Sequence, residues 1–127
     1  MSVCAEWDEL TGRIIGCAIQ VHKTLGPGML ESAYQKCLAI EFAFVGLKFE
    51  EQRAVNVVYR GVVIENAYRM DFVVENEVVV ELKAVSEILP VYEAQILSYL
   101  RFGGFHKGLL INFHVRTLKT GIRRFIL

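Results

Sequence analysis

The chain is 127 residues long, 54% apolar and 22% charged, and its 14 basic and 14 acidic residues give a formal net charge of zero. We therefore expect one globular domain over residues 1–127. No apolar stretch reaches the roughly 18 residues of a membrane-spanning helix, and the first ten residues lack the pattern of a secretory signal. Cys4, Cys17 and Cys37 lack metal or redox spacing, so we expect reduced thiols in a cytoplasmic protein.

Two amphipathic helices are predicted before any strand. Apolar residues recur every three or four positions over residues 10–25, and Gly26-Pro27-Gly28 ends that pattern. A second helical pattern covers residues 30–45, and Gly46 follows where a left-handed C-terminal cap is common. Both patterns indicate helices with one apolar side, which must pack on another layer.

The middle of the chain changes to the period of a β-sheet. Alternating apolar and β-branched residues predict an antiparallel meander with strands at 49–59, 62–65, 68–74 and 78–83. Pro90 suits the first turn of a third helix that ends before Gly103-Gly104, and a buried strand at 109–111 and an edge strand at 121–127 follow. The predicted order is α-α-β-β-β-β-α-β-β, an α/β fold with a mixed sheet flanked by helices.

Charged residues alternate along two of these predicted strands. If the intervening loop closes a hairpin centred on Asn76, Asp71 lies opposite Glu81 and Arg69 lies opposite Lys83. Two opposed carboxylates repel each other unless a proton or a cation lies between them. A hard divalent cation such as Mg²⁺ would resolve that repulsion, and Lys83 on the same face could stabilise attack of hydroxide on phosphorus. The ordinary alternative is a charged strand face turned to solvent.

The charge of the chain is unevenly distributed. All 14 acidic residues fall within residues 1–93, which carry −6, whereas the last 34 residues carry +6. A basic segment of this kind predicts a surface for an anionic partner, or bases that pair with acids elsewhere in the fold. Four of these residues are candidates for binding a nucleic-acid backbone, with Arg69 as a fifth: Arg116, Lys119, Arg123 and Arg124.

Three polar residues on the predicted helices are ordinary when each is taken alone. Glu31 opens the second helix, where an acid commonly caps the helix or interacts with its dipole. Gln95 and Tyr99 lie four residues apart on the third helix, so their side chains share one side, as interface residues often do.

Taken together, these segments resemble a known family. Gly28-Met29-Leu30-Glu31-Ser32-Ala33-Tyr34 is similar to the signature of the GxxExxY family, part of the PD-(D/E)XK nuclease superfamily. Further segments agree with that family in identity and order: Val21-His22-Lys23, Leu25-Gly26-Pro27-Gly28, Tyr68-Arg69-Met70-Asp71, Glu81-Leu82-Lys83, Gln95-Ile96-Leu97-Ser98-Tyr99 and Ile111-Asn112-Phe113.

The resemblance implies a restriction-endonuclease-like core with a catalytic set of six residues. Asp71 would be the first metal ligand, Glu81 and Lys83 the E-x-K element, and Glu31 an acid near the metal. Gln95 and Tyr99 resemble the Q-x-x-x-Y element of RecB-like nucleases. The expected function is Mg²⁺- or Mn²⁺-dependent hydrolysis of nucleic acid, with DNA favoured over RNA. The alternative is a catalytically silent module that binds nucleic acid or protein. A second copy or another protein would supply substrate recognition.

Overall fold

Two helices, three strands, a third helix and two further strands follow one another over residues 8–127, the part of the chain that the computed structural model describes. Cys4 lies outside these residues. The elements are α1 (Glu9–Leu25), α2 (Glu31–Phe44), β1 (Phe49–Tyr59), β2 (Val62–Val74), β3 (Val78–Lys83), α3 (Pro90–Gly103), β4 (Lys107–Asn112), a short 3-10 helix (Leu118–Gly121) and β5 (Ile122–Ile126). The predicted α/β fold with helices flanking a mixed sheet is confirmed.

The sheet has its five strands in the order β1-β2-β3-β4-β5. Only the β3–β4 pair is parallel, and α3 forms the crossover that this pairing requires. The other three neighbouring pairs are antiparallel. The crossover therefore brings the carboxyl ends of β3 and β4 together at one end of the sheet.

The two short strands predicted at 62–65 and 68–74 form one strand, β2. The chain bulges at Asn66, which has a φ of 53°, and the backbone N–H of Asn66 donates to Asn56 Oδ1 at 3.0 Å. The register with β1 shifts between Val55 and Val57 and then continues. A bulge, and not a turn, is therefore the origin of the apparent break in the strand pattern.

Each face of the sheet supports a separate apolar core. The larger core lies between the sheet and the α1–α2 layer, where Phe72, Val80 and Ile111 from the strands meet Ile14 and Phe42 from the helices. The smaller core lies under α3 and contains Val55, Met70, Val73, Val79, Leu100 and Phe105. There α3 approaches β4 closely, because a Cβ at Gly108 would lie 3.0 Å from Ile96 Cδ1.

Candidate active site

The β2–β3 hairpin is centred on Asn76, as the sequence predicts, but its backbone ladder is short. Val74 pairs with Val78, and the last recorded pair is Phe72 with Val80. Beyond it, side chains replace the backbone partners. The Asp71 N–H donates to Glu81 Oε2 at 2.5 Å, and the Leu82 N–H donates to Asp71 Oδ2 at 2.9 Å. Where the ladder ends, the Glu81 side chain is thus bonded to the Asp71 backbone, and the Asp71 side chain is bonded to the backbone of Leu82, the residue after Glu81.

The predicted pairing of Arg69 with Lys83 is wrong, because the ladder ends before it reaches them. Arg69 pairs with Ala54 in β1, and its Nη1 donates to the Gln52 carbonyl at 3.1 Å. Lys83 pairs with Asn112 in β4, and its Nζ lies 4.4 Å from the centre of the Tyr92 ring. A cation over an aromatic face is attracted by the ring, so Tyr92 restrains the Lys83 ammonium.

Burial and mutual repulsion dominate the electrostatics of the acidic residues. Glu81 is 7% exposed, and burial, followed by the Asp71 charge, raises its pKa to about 9. Burial also raises the pKa of Asp71, although the hydrogen bonds from Leu82 and Gln52 oppose that rise. The pKa of Glu31 is raised by partial loss of hydration and then by Asp71, with Lys83 opposing. The three acids therefore influence one another, with Lys83 as their common cation.

The donor chemistry at Asp71 and Glu81 fits a hard divalent cation. Carboxylate oxygens are the preferred ligands of Mg²⁺, and the raised pKa of Glu81 indicates that Lys83 alone does not neutralise the pair. Within residues 8–127, no three acidic, histidine or cysteine side chains form a ready-made cage for a metal ion. Asp71 and Glu81 are therefore the two acidic residues that a hydrogen bond links here, and Glu31 does not close a three-ligand cage with them.

The loop before α2 sets the position of Glu31, the first residue of that helix. Gly28 has a φ of +100°, a conformation that favours glycine. The buried Tyr34 hydroxyl donates to the Gly26 carbonyl at 2.5 Å and accepts from the Met29 N–H at 3.2 Å. Together Gly28 and Tyr34 hold the chain in a tight turn from which Glu31 begins the helix.

Helix α3 brings Tyr99 to the carboxylates. Its pKa is raised to about 12, by burial first and then by the charges of Glu81 and Asp71. Its ring stacks on Tyr68 with the ring centres 4.5 Å apart, and the Tyr68 hydroxyl donates to the Ser98 carbonyl at 3.0 Å. Gln95 lies one helical turn earlier, and its side chain is exposed.

Two glutamines that sequence reasoning missed also contact Asp71. Gln52 Nε2 donates to Asp71 Oδ1 at 3.2 Å, and Gln35 Nε2 lies 3.4 Å from the Asp71 carbonyl oxygen. Gln35 follows Glu31 by four residues, so helical spacing could have suggested it. Gln52 carries no comparable signal, because it is a polar residue among other polar residues of an edge strand.

A third missed residue, Asn112, fastens the chain after Lys83. It is 2% exposed. Its Oδ1 accepts from the N–H groups of Val85 and His114 at 3.1 and 3.2 Å, and its Nδ2 donates to the Val85 carbonyl at 2.9 Å. The carboxyl end of β3 is thereby tied to the carboxyl end of β4.

A family model of the PD-(D/E)XK nuclease superfamily matches residues 8–125. The chain belongs to this superfamily. No curated protein and no solved structure matches the chain. Among the described residues, no helix has the length and apolar character that crossing a membrane requires. Superfamily membership implies a nucleic-acid substrate and the chemistry of a nuclease.

The basic residues considered for nucleic-acid binding in this superfamily member do not share one surface. Arg123 pairs with Leu110 and so lies on the α3 face, the same face as Glu81. Arg124 is half-buried on the opposite face, where it lines a small pocket with Thr11 of α1. Arg116 and Lys119 are exposed in the connection between β4 and β5. Arg123 therefore lies on the same face as Glu81, whereas the connection that carries Arg116 and Lys119 packs through Leu118 against the core beneath α1 and α2.

Proposed function

We propose that this chain is a Mg²⁺-dependent nuclease of the GxxExxY type, able to use Mn²⁺, that hydrolyses phosphodiester bonds, with DNA favoured over RNA. One observation carries the proposal. The Asp71 N–H donates to the Glu81 carboxylate, the Leu82 N–H donates to the Asp71 carboxylate, and Lys83 follows on the same strand. This arrangement combines an oxygen-donor pair for a divalent cation with a cation for the charge that develops on a phosphate.

Asp71 and Glu81 would hold the cation, which supplies a Lewis acid and a source of hydroxide when bound. Lys83 stabilises the negative charge on the attacked phosphate, and the Tyr92 ring keeps its ammonium from turning away. Glu31 completes the acidic set from the start of α2 and contributes to cation binding. Hydrogen bonds from neighbouring backbone groups hold the Asp71 and Glu81 side chains, and the Tyr92 ring restrains that of Lys83.

Gln95 and Tyr99 would orient the substrate strand beside Lys83. Tyr99 is already close enough to Asp71 and Glu81 for their charges to raise its pKa. With a pKa of about 12 the hydroxyl stays protonated at neutral pH, so it can donate a hydrogen bond to a phosphate oxygen. Gln95, exposed one turn earlier, would contact the same strand further along.

Substrate binding would rest on the basic residues of the last third and on a protein partner. Arg123 lies on the same face of the sheet as Glu81, and Arg116 and Lys119 are exposed in the connection before β5. Contacts of such bases with a nucleic-acid backbone are independent of sequence. A second copy of the chain or another protein would add substrate recognition. We place this activity in the cytoplasm, where Cys17 and Cys37, both free thiols, stay reduced.

The direct test incubates the protein with single-stranded and duplex DNA and RNA in Mg²⁺, Mn²⁺ or EDTA. We expect cleavage that requires the cation and that falls about 100- to 1000-fold in Lys83→Ala, because the cation beside the reacting phosphate is lost. Lys36→Ala, an exposed lysine of α2, is the matched control and should cleave as wild type does. Equal cleavage by Lys83→Ala and wild type would refute the role.

The second candidate is a catalytically silent module that binds nucleic acid or protein. The observation that favours it is the purely basic character of residues 94–127, which supports binding without requiring hydrolysis. The same experiment separates the two functions. Cation binding without cleavage of any substrate would indicate an enzyme that needs its partner. A wild-type protein that neither binds the cation nor cleaves any substrate would favour the silent module.

A further inference from the structure

Gln52 lies within β1 and has a backbone conformation that residues other than glycine rarely adopt. Its φ is +52°, in the left-handed region that is uncommon for any residue except glycine. The other non-glycine residues with positive φ in the described chain lie at turns or at the β2 bulge: Arg60, Asn66, Glu75 and Asn76. The β1–β2 ladder is interrupted at Gln52, and the position facing it on β2 is Asp71.

The contacts of Gln52 explain what this conformation achieves. Its Nε2 lies 3.2 Å from Asp71 Oδ1 and 3.4 Å from Gln35 Oε1, so two acceptors orient the Gln52 amide group. Its carbonyl accepts from Arg69 Nη1 at 3.1 Å, which fastens the backbone in the same place. Contacts from β2, through Asp71 and Arg69, and from α2, through Gln35, therefore hold this one residue in place.

We propose that Gln52 is a positioning residue for Asp71, which it holds in the orientation needed to bind a divalent cation; the catalytic meaning of this role rests on the proposed function. Leu82 holds Asp71 Oδ2 and Gln52 holds Oδ1, so the carboxylate cannot rotate about its χ2 bond without breaking one hydrogen bond. Partners of this outer shell commonly change metal affinity about 10- to 100-fold when they are removed.

The identity of the residue supports this role over a purely structural one. A glycine would adopt a φ of +52° with less strain, and an asparagine tolerates that region better than glutamine. Glycine has no amide, however, and the asparagine amide is one methylene shorter. A strained conformation persists where the surrounding structure requires it, and here the amide contact to Asp71 is what the strain maintains.

The test compares Gln52→Gly with Arg60→Gly, which replaces a residue of nearly equal φ at the exposed turn of the same hairpin. The first readout is hydrogen exchange in the metal-free protein. Without Gln52, the Leu82 amide should lose about tenfold in protection relative to Val80, because its acceptor Asp71 is freed. The second readout is Mn²⁺ affinity by calorimetry, which should fall about tenfold. Arg60→Gly should change neither quantity.

Each outcome decides the proposal. Unchanged relative protection of Leu82, or lost protection with unchanged Mn²⁺ affinity, would overturn the positioning role. Lost protection of Leu82 in a protein whose wild type binds no Mn²⁺ would support the hold on Asp71 and refute the proposed function instead. Should Gln52→Gly fail to fold, Gln52→Asn carries the same test, because it tolerates the conformation and cannot reach Asp71 as glutamine does.

Discussion

The two faces of the sheet are built for different purposes. On the α1–α2 face, Phe72, Val80 and Ile111 pack against Ile14 and Phe42 in the larger apolar core. On the α3 face, the smaller core includes Val79 but not Glu81, the next residue of β3 on that face. Beyond Val79 the acidic side chains of Glu81 and Asp71 take the place of apolar residues. The α1–α2 face therefore carries the larger apolar core, whereas the α3 face carries Glu81 beside the smaller core.

The larger core on the α1–α2 face offsets the destabilisation caused by burying Glu81. Burying a carboxylate is unfavourable, and the rise of the Glu81 pKa to about 9 reflects that cost. The continuous core under α1 and α2 supplies stability that does not depend on the state of Glu81 or Asp71. Substitutions on the two faces should consequently change different properties of the protein, and three experiments can test this.

The largest expected effect is on stability and comes from the α1–α2 face. Phe42 is fully buried and packs edge-on against Phe72, with ring centres 5.2 Å apart. Phe42→Ala should lower the free energy of unfolding by about 3–5 kcal/mol, measured by urea denaturation. Val79→Ala, equally buried on the α3 face, removes two carbons and should cost about 2 kcal/mol. A larger loss for Val79→Ala would contradict the comparison.

The second effect is a dependence of stability on pH that belongs to the α3 face. The folded-state pKa of Glu81, about 9, exceeds its ordinary value of 4.5, so the folded state retains a proton that the unfolded chain releases. Stability of the metal-free protein should therefore fall as pH rises from about 4.5 to 9.

Glu81→Gln removes that titration while keeping an acceptor for the Asp71 N–H. In EDTA at pH 8 the variant should be more stable than wild type by on the order of 2 kcal/mol, with little difference at pH 5. Urea midpoints across this pH range provide the measurement. Parallel curves for the two proteins would show that Glu81 does not carry the buried charge.

The smallest effect concerns binding and contrasts neighbouring arginines on opposite faces. With Ca²⁺ in place of Mg²⁺, Arg123→Ala should weaken binding to duplex DNA and reduce the logarithmic salt slope by about one. Arg124→Ala should leave the slope unchanged, because Arg124 lies against α1. Fluorescence anisotropy at several salt concentrations measures both. Equal losses of slope would remove the distinction between the faces.

Local patterns predicted much of this fold. The helices before β1 follow from apolar spacing, and the hairpin register follows from symmetry about Asn76. The division of β2 at Asn66 was a misreading, because pairing with β1 continues past the bulge. The opposite faces of Arg123 and Arg124 were already implied by the alternation of adjacent strand residues.

The geometry around Asp71 lies beyond such patterns. Gln52 contacts Asp71 and Arg69 of β2 and Gln35 of α2, all of them distant from it in the sequence. No local periodicity encodes an interruption that only the assembled sheet and α2 create. Likewise, Arg69 does not pair with Lys83 because the β2–β3 ladder ends early, and hairpin symmetry alone does not predict where a ladder ends.

The central claim is that Asp71 and Glu81 form the cation site of this superfamily member. Calorimetric titration of the protein with Mn²⁺, beside Asp71→Asn, measures it without any substrate. We predict a saturable binding event in wild type that weakens at least tenfold in Asp71→Asn, since the variant keeps the shape of the side chain and loses its charge. Equal Mn²⁺ affinity in the two proteins would contradict the claim.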